Sequence, residues 1–171
     1  MPGAEAPGAK TAFDPVVDAD TRLLILGSLP GDASLKAGQY YGHPRNAFWR
    51  LVGGVIGHDL AALPYPDRLT ALKTAGVGLW DVIARAERKG SLDADIRNLE
   101  AADLRRLIDG LPALKAVAFN GGTAARIGRR SLAGLDGVAL IDLPSSSPAH
   151  AARSLADKAQ AWAVLAAILH D

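Results

Sequence analysis

The sequence predicts an α/β fold: a three-layer α/β/α sandwich around a central parallel sheet of about four strands. Three observations carry this. Four short apolar runs, at residues 23–26, 77–83, 116–119 and 138–143, have strand length and end in Gly, Asn or Pro-Ser punctuation. Segments with helical spacing fall between them, which requires parallel pairing with right-handed crossovers. Polar residues gather where the runs end, and open α/β sheets bind ligands at the carboxyl ends of their strands.

Taken in order, residues 1–18 are rich in Ala, Gly and Pro without a period and read as a flexible N-terminal arm, leaving 19–171 as a single domain. Leu23-Leu24-Ile25-Leu26 is the first strand, and the turn Gly27-Ser28-Leu29-Pro30-Gly31 closes it. Residues 46–56 form a helix, because Phe48, Leu51, Val52 and Val55 recur on one face. A Pro-punctuated loop over 59–67 precedes a short helix at 68–74 that stops at Gly76. The second strand, 77–83, carries a polar Asp81 inside it. Residues 84–95, with Arg85, Arg88 and Lys89, read as a loop, and 99–107 as an amphipathic helix. The third strand, 116–119, ends at Asn120-Gly121-Gly122, where a helix begins. The fourth, 138–143, runs into Pro144-Ser145-Ser146-Ser147-Pro148, and a terminal helix covers 151–170.

Composition narrows the function. The 171 residues are 49% hydrophobic and 22% charged, ordinary for one globular domain. The chain has no cysteine, which removes disulfides, thiolate metal sites and a cysteine nucleophile together. His43, His58, His150 and His170 lack ligand spacing, so neither metal nor other cofactor is expected. No apolar run approaches the length of about 18 residues that a membrane span needs. The first ten residues lack the order of a signal peptide, and the expectation is a cytoplasmic monomer without membrane contact. A net charge of +1 leaves any nucleic-acid contact to a local patch.

Ser28, Asp81, Asn120 and the serines 145–147 each lie at or near the carboxyl end of one expected strand, and in an open α/β sheet such points converge on one crevice. The segment Tyr41-Gly42-His43-Pro44-Arg45-Asn46-Ala47-Phe48-Trp49 adds a base, an amide and aromatics, a mixture suited to a planar, hydrogen-bonding ring beside a phosphate. A nucleotide-phosphate enzyme is the weaker alternative, since the turn lacks the lysine and spacing of a P-loop.

Gly-Ser-Leu-Pro-Gly, then Gly-His-Pro-Arg-Asn-Ala-Phe-Trp, then Leu-Pro-Ser-Ser-Ser-Pro-Ala resemble, in that order, the uracil-DNA glycosylase superfamily. The resemblance is to its hypoxanthine-DNA and mismatch-specific (thymine/uracil) branches and covers residues 23–162. It implies a monofunctional enzyme of base excision repair that flips deaminated bases out of DNA and hydrolyses them off, leaving an abasic site. Uracil comes first, hypoxanthine or xanthine next, and the partner is DNA containing deaminated bases or abasic sites. No lysine in the three motifs offers a Schiff base.

The resemblance places Phe48 as the aromatic stacking on the flipped base, with a place in the helix core as the lesser alternative. Asp81 falls where the base edge is read. A carboxylate accepts from uracil N3–H or hypoxanthine N1–H, protons that cytosine and adenine lack, but Asp81 could instead cap a helix or pair with Arg85. Asn46 and Asn120 offer amides to position a water or bind a base carbonyl, and Asn46 could equally cap the helix it precedes. Ser28 and Leu29 line the base site. Ser145, Ser146 and Ser147 can hold flanking phosphates through hydroxyls and backbone N–H groups, or form a solvated turn. Arg45 is a phosphate candidate, and Ala149, His150 and Arg153 fall at the minor-groove wedge.

The chain also departs from the pattern. Several branches carry Asp or Asn at the position of Leu29, others Glu at that of Ser28, and the His or Asn of the last motif is replaced by Ser145. The familiar water activator is therefore missing, and Asn46 or Asp81 must take its work. Otherwise the fold binds lesions without turning them over.

Overall fold

A computed structural model describes residues 9–150 and 152–170. In chain order the strands are β1 (Ala9–Thr11), β2 (Leu23–Gly27), β3 (Val77–Asp81), β4 (Ile83–Glu87), β5 (Arg97–Ala101), β6 (Ala116–Asn120) and β7 (Ala139–Leu143). The helices are α1 (Asp32–Ala37), α2 (Phe48–Ile56), α3 (Tyr65–Thr74), α4 (Leu104–Asp109), α5 (Gly122–Ser131), α6 (Leu155–Trp162) and α7 (Ala166–Leu169).

The central sheet is parallel, in the order β3-β2-β6-β7. Leu23 to Leu26 in β2 are all fully buried, as a strand covered on both faces requires. Alternation divides them between two cores. Leu23 and Ile25 join α2, α3, α6 and α7 through Phe48, Leu72, Trp162 and Leu169. Leu24 and Leu26 join α4 and α5 through Ile108, Ala124 and Ile127. Register then fixes the site, because Gly27 lies opposite Asp81 and Asn120 opposite Leu143, so the strands end together on one edge.

The four expected central strands and the α/β/α layering are present. A second sheet, antiparallel in the order β1-β4-β5, was not expected. Residues 84–95, read as a loop, begin as β4: Ile83 and Ala86 are buried while Arg85 between them is exposed. The helix expected over 99–107 is β5 followed by α4. Its apparent apolar stripe was false, since Leu99 is 42% exposed in a strand that faces solvent throughout. Of the expected N-terminal arm, residues 1–8 lie outside the described residues. The remainder is held: Ala9–Thr11 pairs with β4, Val16 bridges Leu79, and Trp80 Nε1 donates to the Phe13 carbonyl at 3.0 Å. A short helix, α1, follows the first turn, and the terminal helix is broken into α6, a 3-10 turn and α7. No helix among the described residues is long and apolar enough to cross a membrane.

Candidate active site at the carboxyl edge of the parallel sheet

A cavity of about 720 Å³ opens where β2, β3, β6 and β7 end. The turn after β2, the Tyr41–Asn46 segment, Asp81, the residues after β4, Asn120 and the serine turn all line it. Among the described residues no group of three His, Asp or Glu side chains could hold a metal.

Asp81 ends β3 and is 4% exposed, and its Oδ2 has no hydrogen-bond partner. Burial pushes its carboxyl up to about 7; Asp93 adds to the rise and Arg88 opposes it. Gly27 keeps the space beside it clear. A Cβ there would sit 2.7 Å from Asp81 Oδ1 and 2.9 Å from the Tyr41 hydroxyl. Asp81 caps no helix and makes no ion pair with Arg85 among the described residues.

Phe48 does not reach the cavity. Its ring is fully buried between Tyr41, Trp49 and Trp162, so the stacking expected of it is sterically closed. Tyr41 covers it, with ring centroids 3.8 Å apart at 15°, and lines the cavity in its place. The Tyr41 backbone lies at φ 53, a left-handed conformation that costs a bulky residue energy and that the surrounding contacts must enforce. Its hydroxyl is buried without a hydrogen-bond partner, and burial raises its pKa. The sequence signal for Tyr41 was its place directly ahead of Gly42-His43-Pro44, which the Asn-Ala-Phe-Trp match overshadowed.

Asn46 lines the cavity, and its Oδ1 accepts from the Phe48 N–H at 3.0 Å, so its side chain supports the first turn of α2 as well as facing the site. One lone pair of that oxygen and the amide hydrogens remain for a water. Asn120 is more committed. Its Nδ2 donates to Ser146 Oγ and its Oδ1 accepts from the Ser146 N–H, both at 2.9 Å. It therefore pins the serine turn to β6, with one lone pair of its oxygen and one amide hydrogen left over. Gly121, at φ 99, lets the backbone pass close to Ser145, where a Cβ would lie 3.1 Å from the Ser145 Cβ.

The serine turn is internally satisfied. Ser146 is 1% exposed and its carbonyl accepts from the Ala47 N–H, joining the last motif to the second. The N–H groups of Ser147, Ala149 and His150 go to Ser145 Oγ, Ser147 Oγ and the Ser147 carbonyl. With the Ser146 N–H on Asn120, these four donors are not available to phosphates, contrary to expectation. The hydroxyls of Ser145 and Ser147 still line the cavity and keep their own protons to donate. Lys158, 6% exposed, reaches the Ser147 carbonyl from below at 3.4 Å.

Leu29 is 7% exposed, half core and half cavity wall. Ser28 Oγ donates to Asp93 Oδ1 at 2.7 Å. Arg45 stands exposed on the cavity rim, with its N–H donated to His43 Nδ1 at 3.0 Å, and His150 lines the wall. Arg153 does not join them: it is exposed and borders a separate shallow hollow with Asp157, Gln160 and Ala161. The sequence reading missed Arg88, which is 2% exposed. It donates from Nε to the Gly90 carbonyl at 2.9 Å and from Nη2 to the Pro30 carbonyl, holding the first turn against the β4–β5 segment.

Residues 15–166 match the family model of the uracil DNA glycosylase superfamily. The chain belongs to that superfamily. Within it, the chain is 51% identical over 112 residues to a hypoxanthine DNA glycosylase of Methanosarcina barkeri, spanning 66% of this chain and 71% of the relative. Over the same length it is 46% identical to a hypoxanthine DNA glycosylase of Methanosarcina acetivorans. A Methanosarcina acetivorans protein solved in solution by NMR superposes with a TM-score of 0.85 at 39% identity, over 95% of this chain and 99% of that one. A DNA glycosylase of this superfamily therefore has a cavity at the sheet edge that Asp81, Tyr41 and Asn46 line.

Proposed function

We propose that this glycosylase hydrolyses hypoxanthine from DNA, with xanthine and uracil as further substrates, and leaves an abasic site. The observation that carries the reading is the buried carboxylate of Asp81 at the cavity wall, beside an aromatic face. The names of the two Methanosarcina relatives put hypoxanthine ahead of uracil.

In this reading the flipped base lies on the exposed side of Tyr41, whose other side rests on Phe48. Deamination turns the amidine edge of adenine into a lactam, adding a proton at N1. Ionised Asp81 accepts a hydrogen bond from that N1–H, whereas adenine presents a lone pair there. As the glycosidic bond breaks, its electron pair leaves with the base and the sugar becomes oxocarbenium-like. Flanking phosphates and the cavity's donors stabilise the separated charges. Asn46, with its Oδ1 anchored at the start of α2, orients a water onto the anomeric carbon. The water's oxygen bonds to that carbon and a proton is passed to the departing base. An amide is a weak base, but an oxocarbenium ion needs an aligned nucleophile more than a strong one. Leu29 in place of a polar residue is tolerable on that account.

Single-turnover release of base from oligonucleotides carrying hypoxanthine, xanthine or uracil tests the reading. Release that vanishes in Asp81→Ala and persists partly in Asp81→Asn supports it. Tight binding of an abasic site with no release of any base would leave a lesion-binding protein of the same fold.

A further inference from the structure

Charge at the cavity wall is out of balance. Among the described residues that line it, the carboxylates are Asp81 and Asp93, and the one arginine, Arg45, stands exposed at the rim. Asp81 is buried with its Oδ2 unpartnered, and Asp93 receives the Ser28 hydroxyl on Oδ1, leaving Oδ2 open. One buried guanidinium serves both. Arg88 spends Nε and Nη2 on the Gly90 and Pro30 carbonyls, and its Nη1 stays 3.8 Å from Asp93 Oδ1 without a hydrogen bond. The result shows at Asp81, where burial and then Asp93 raise the pKa and Arg88 only partly opposes them. Tyr40 and Tyr41 face the same carboxyl from ahead of α2, and burial keeps both phenols neutral.

A buried carboxylate left in this condition gains most from a ligand that brings its own positive charge. The aromatic face of Tyr41 lines the same cavity and attracts a flat cation. Leu29, where a water activator is missing, points the same way. A purine alkylated at N7 carries a full positive charge. When its glycosidic bond breaks, the electron pair goes to the ring and cancels that charge, so the base leaves neutral and needs no proton. The oxygen of a water bonds to the anomeric carbon, and the water's proton passes to solvent. Such a reaction asks little of a general base.

We propose that the cavity also accepts cationic N7-alkylated guanine and releases it from DNA, with Asp93 selecting for the positive charge. The proposal rests on the DNA glycosylase reading and adds alkylated bases to its substrates. N7-methylguanine keeps an N1–H for Asp81 to accept from, so both carboxylates act on one ring.

Single-turnover release of N7-methylguanine and of hypoxanthine from matched duplexes, each corrected for loss without protein, tests this. Wild type should release both. Asp93→Asn keeps an acceptor for Ser28 and removes one charge. It should slow N7-methylguanine release by about tenfold, because a unit charge is lost beside a cation in a site less polar than water. Hypoxanthine is neutral, and without Asp93 the Asp81 carboxyl ionises more readily, so its release near pH 7 should rise. A merely structural role for Asp93 would lower both. Affinity for a duplex carrying sugar-fluorinated N7-methylguanine, whose glycosidic bond resists breakage, reads the same selection without turnover: wild type should prefer it to the guanine duplex, and Asp93→Asn should lose that preference. Equal losses on both bases, or a wild type that releases hypoxanthine but not N7-methylguanine, overturns the proposal and leaves the glycosylase reading standing. If neither base is released, both fail together.

Discussion

In the proposed function base stacking falls to Tyr41, while Phe48, to which the sequence reading gave that task, belongs to the core. Phe48, fully buried beneath Tyr41, should cost about 3–5 kcal/mol of stability when cut to alanine, as large aromatic truncations in cores do. Tyr41→Ala should instead weaken binding of the flipped base by about 1–3 kcal/mol, the range of base–aromatic stacking. Thermal melts and single-turnover rates on both variants check the division: Tyr41→Ala should lose more rate than stability, Phe48→Ala the reverse. Asp81 carries a pH signature. Its folded pKa of about 7 lies above the ordinary carboxylate value, so the native state holds a proton that the unfolded chain releases. Stability from this group is therefore highest in acid, falls as pH rises from about 4, and the penalty is complete above 7. Asp81→Asn should melt higher than wild type at pH 8, and the gap should close toward pH 4. The excision rate should follow the opposite course, rising through neutrality as the accepting carboxylate forms. Asp81→Asn should lose that inflection.

At the scale of elements, the β4–β5 segment and the first turn behave as one unit, because Arg88 satisfies carbonyls on both sides of their junction. Arg88→Met fills the volume but leaves the Pro30 and Gly90 carbonyls without their donor, a cost of about 1–3 kcal/mol. Amide hydrogen exchange should speed up over residues 88–95 and 28–32 in that variant while β6 and β7 stay protected. The parallel strands were legible because burial on both faces demands continuous apolar runs, and Leu23 to Leu26 can hardly be anything else. The antiparallel sheet was not. β5 is exposed along its length and β4 alternates small residues with charges, so neither carries a hydrophobic signal. The site was legible in its parts. Ser28, Asp81, Asn120 and the serines do converge on one cavity, as strand-end positions in parallel register must. Which of them face a ligand and which are spent on each other was not. The bidentate Asn120–Ser146 pair joins residues 26 apart, and no local spacing announces it.

For the whole molecule, a net charge of +1 and a rim carrying Arg45 and His150 imply few neutralised phosphates. Affinity for duplex DNA should fall with salt along a shallow slope, which binding titrations from about 50 to 200 mM salt would read. A steep slope would mean a broader basic face than this cavity rim. The architecture brings three separated motifs to one edge of a parallel sheet, with Asp81 buried at the cavity wall. The most direct measurement is therefore single-turnover release of hypoxanthine from matched oligonucleotides by wild type, Asp81→Asn and Asp81→Ala, each first shown to be folded by its melt. The account predicts release by wild type, partial release by Asp81→Asn and almost none by Asp81→Ala. Equal rates in all three would contradict it.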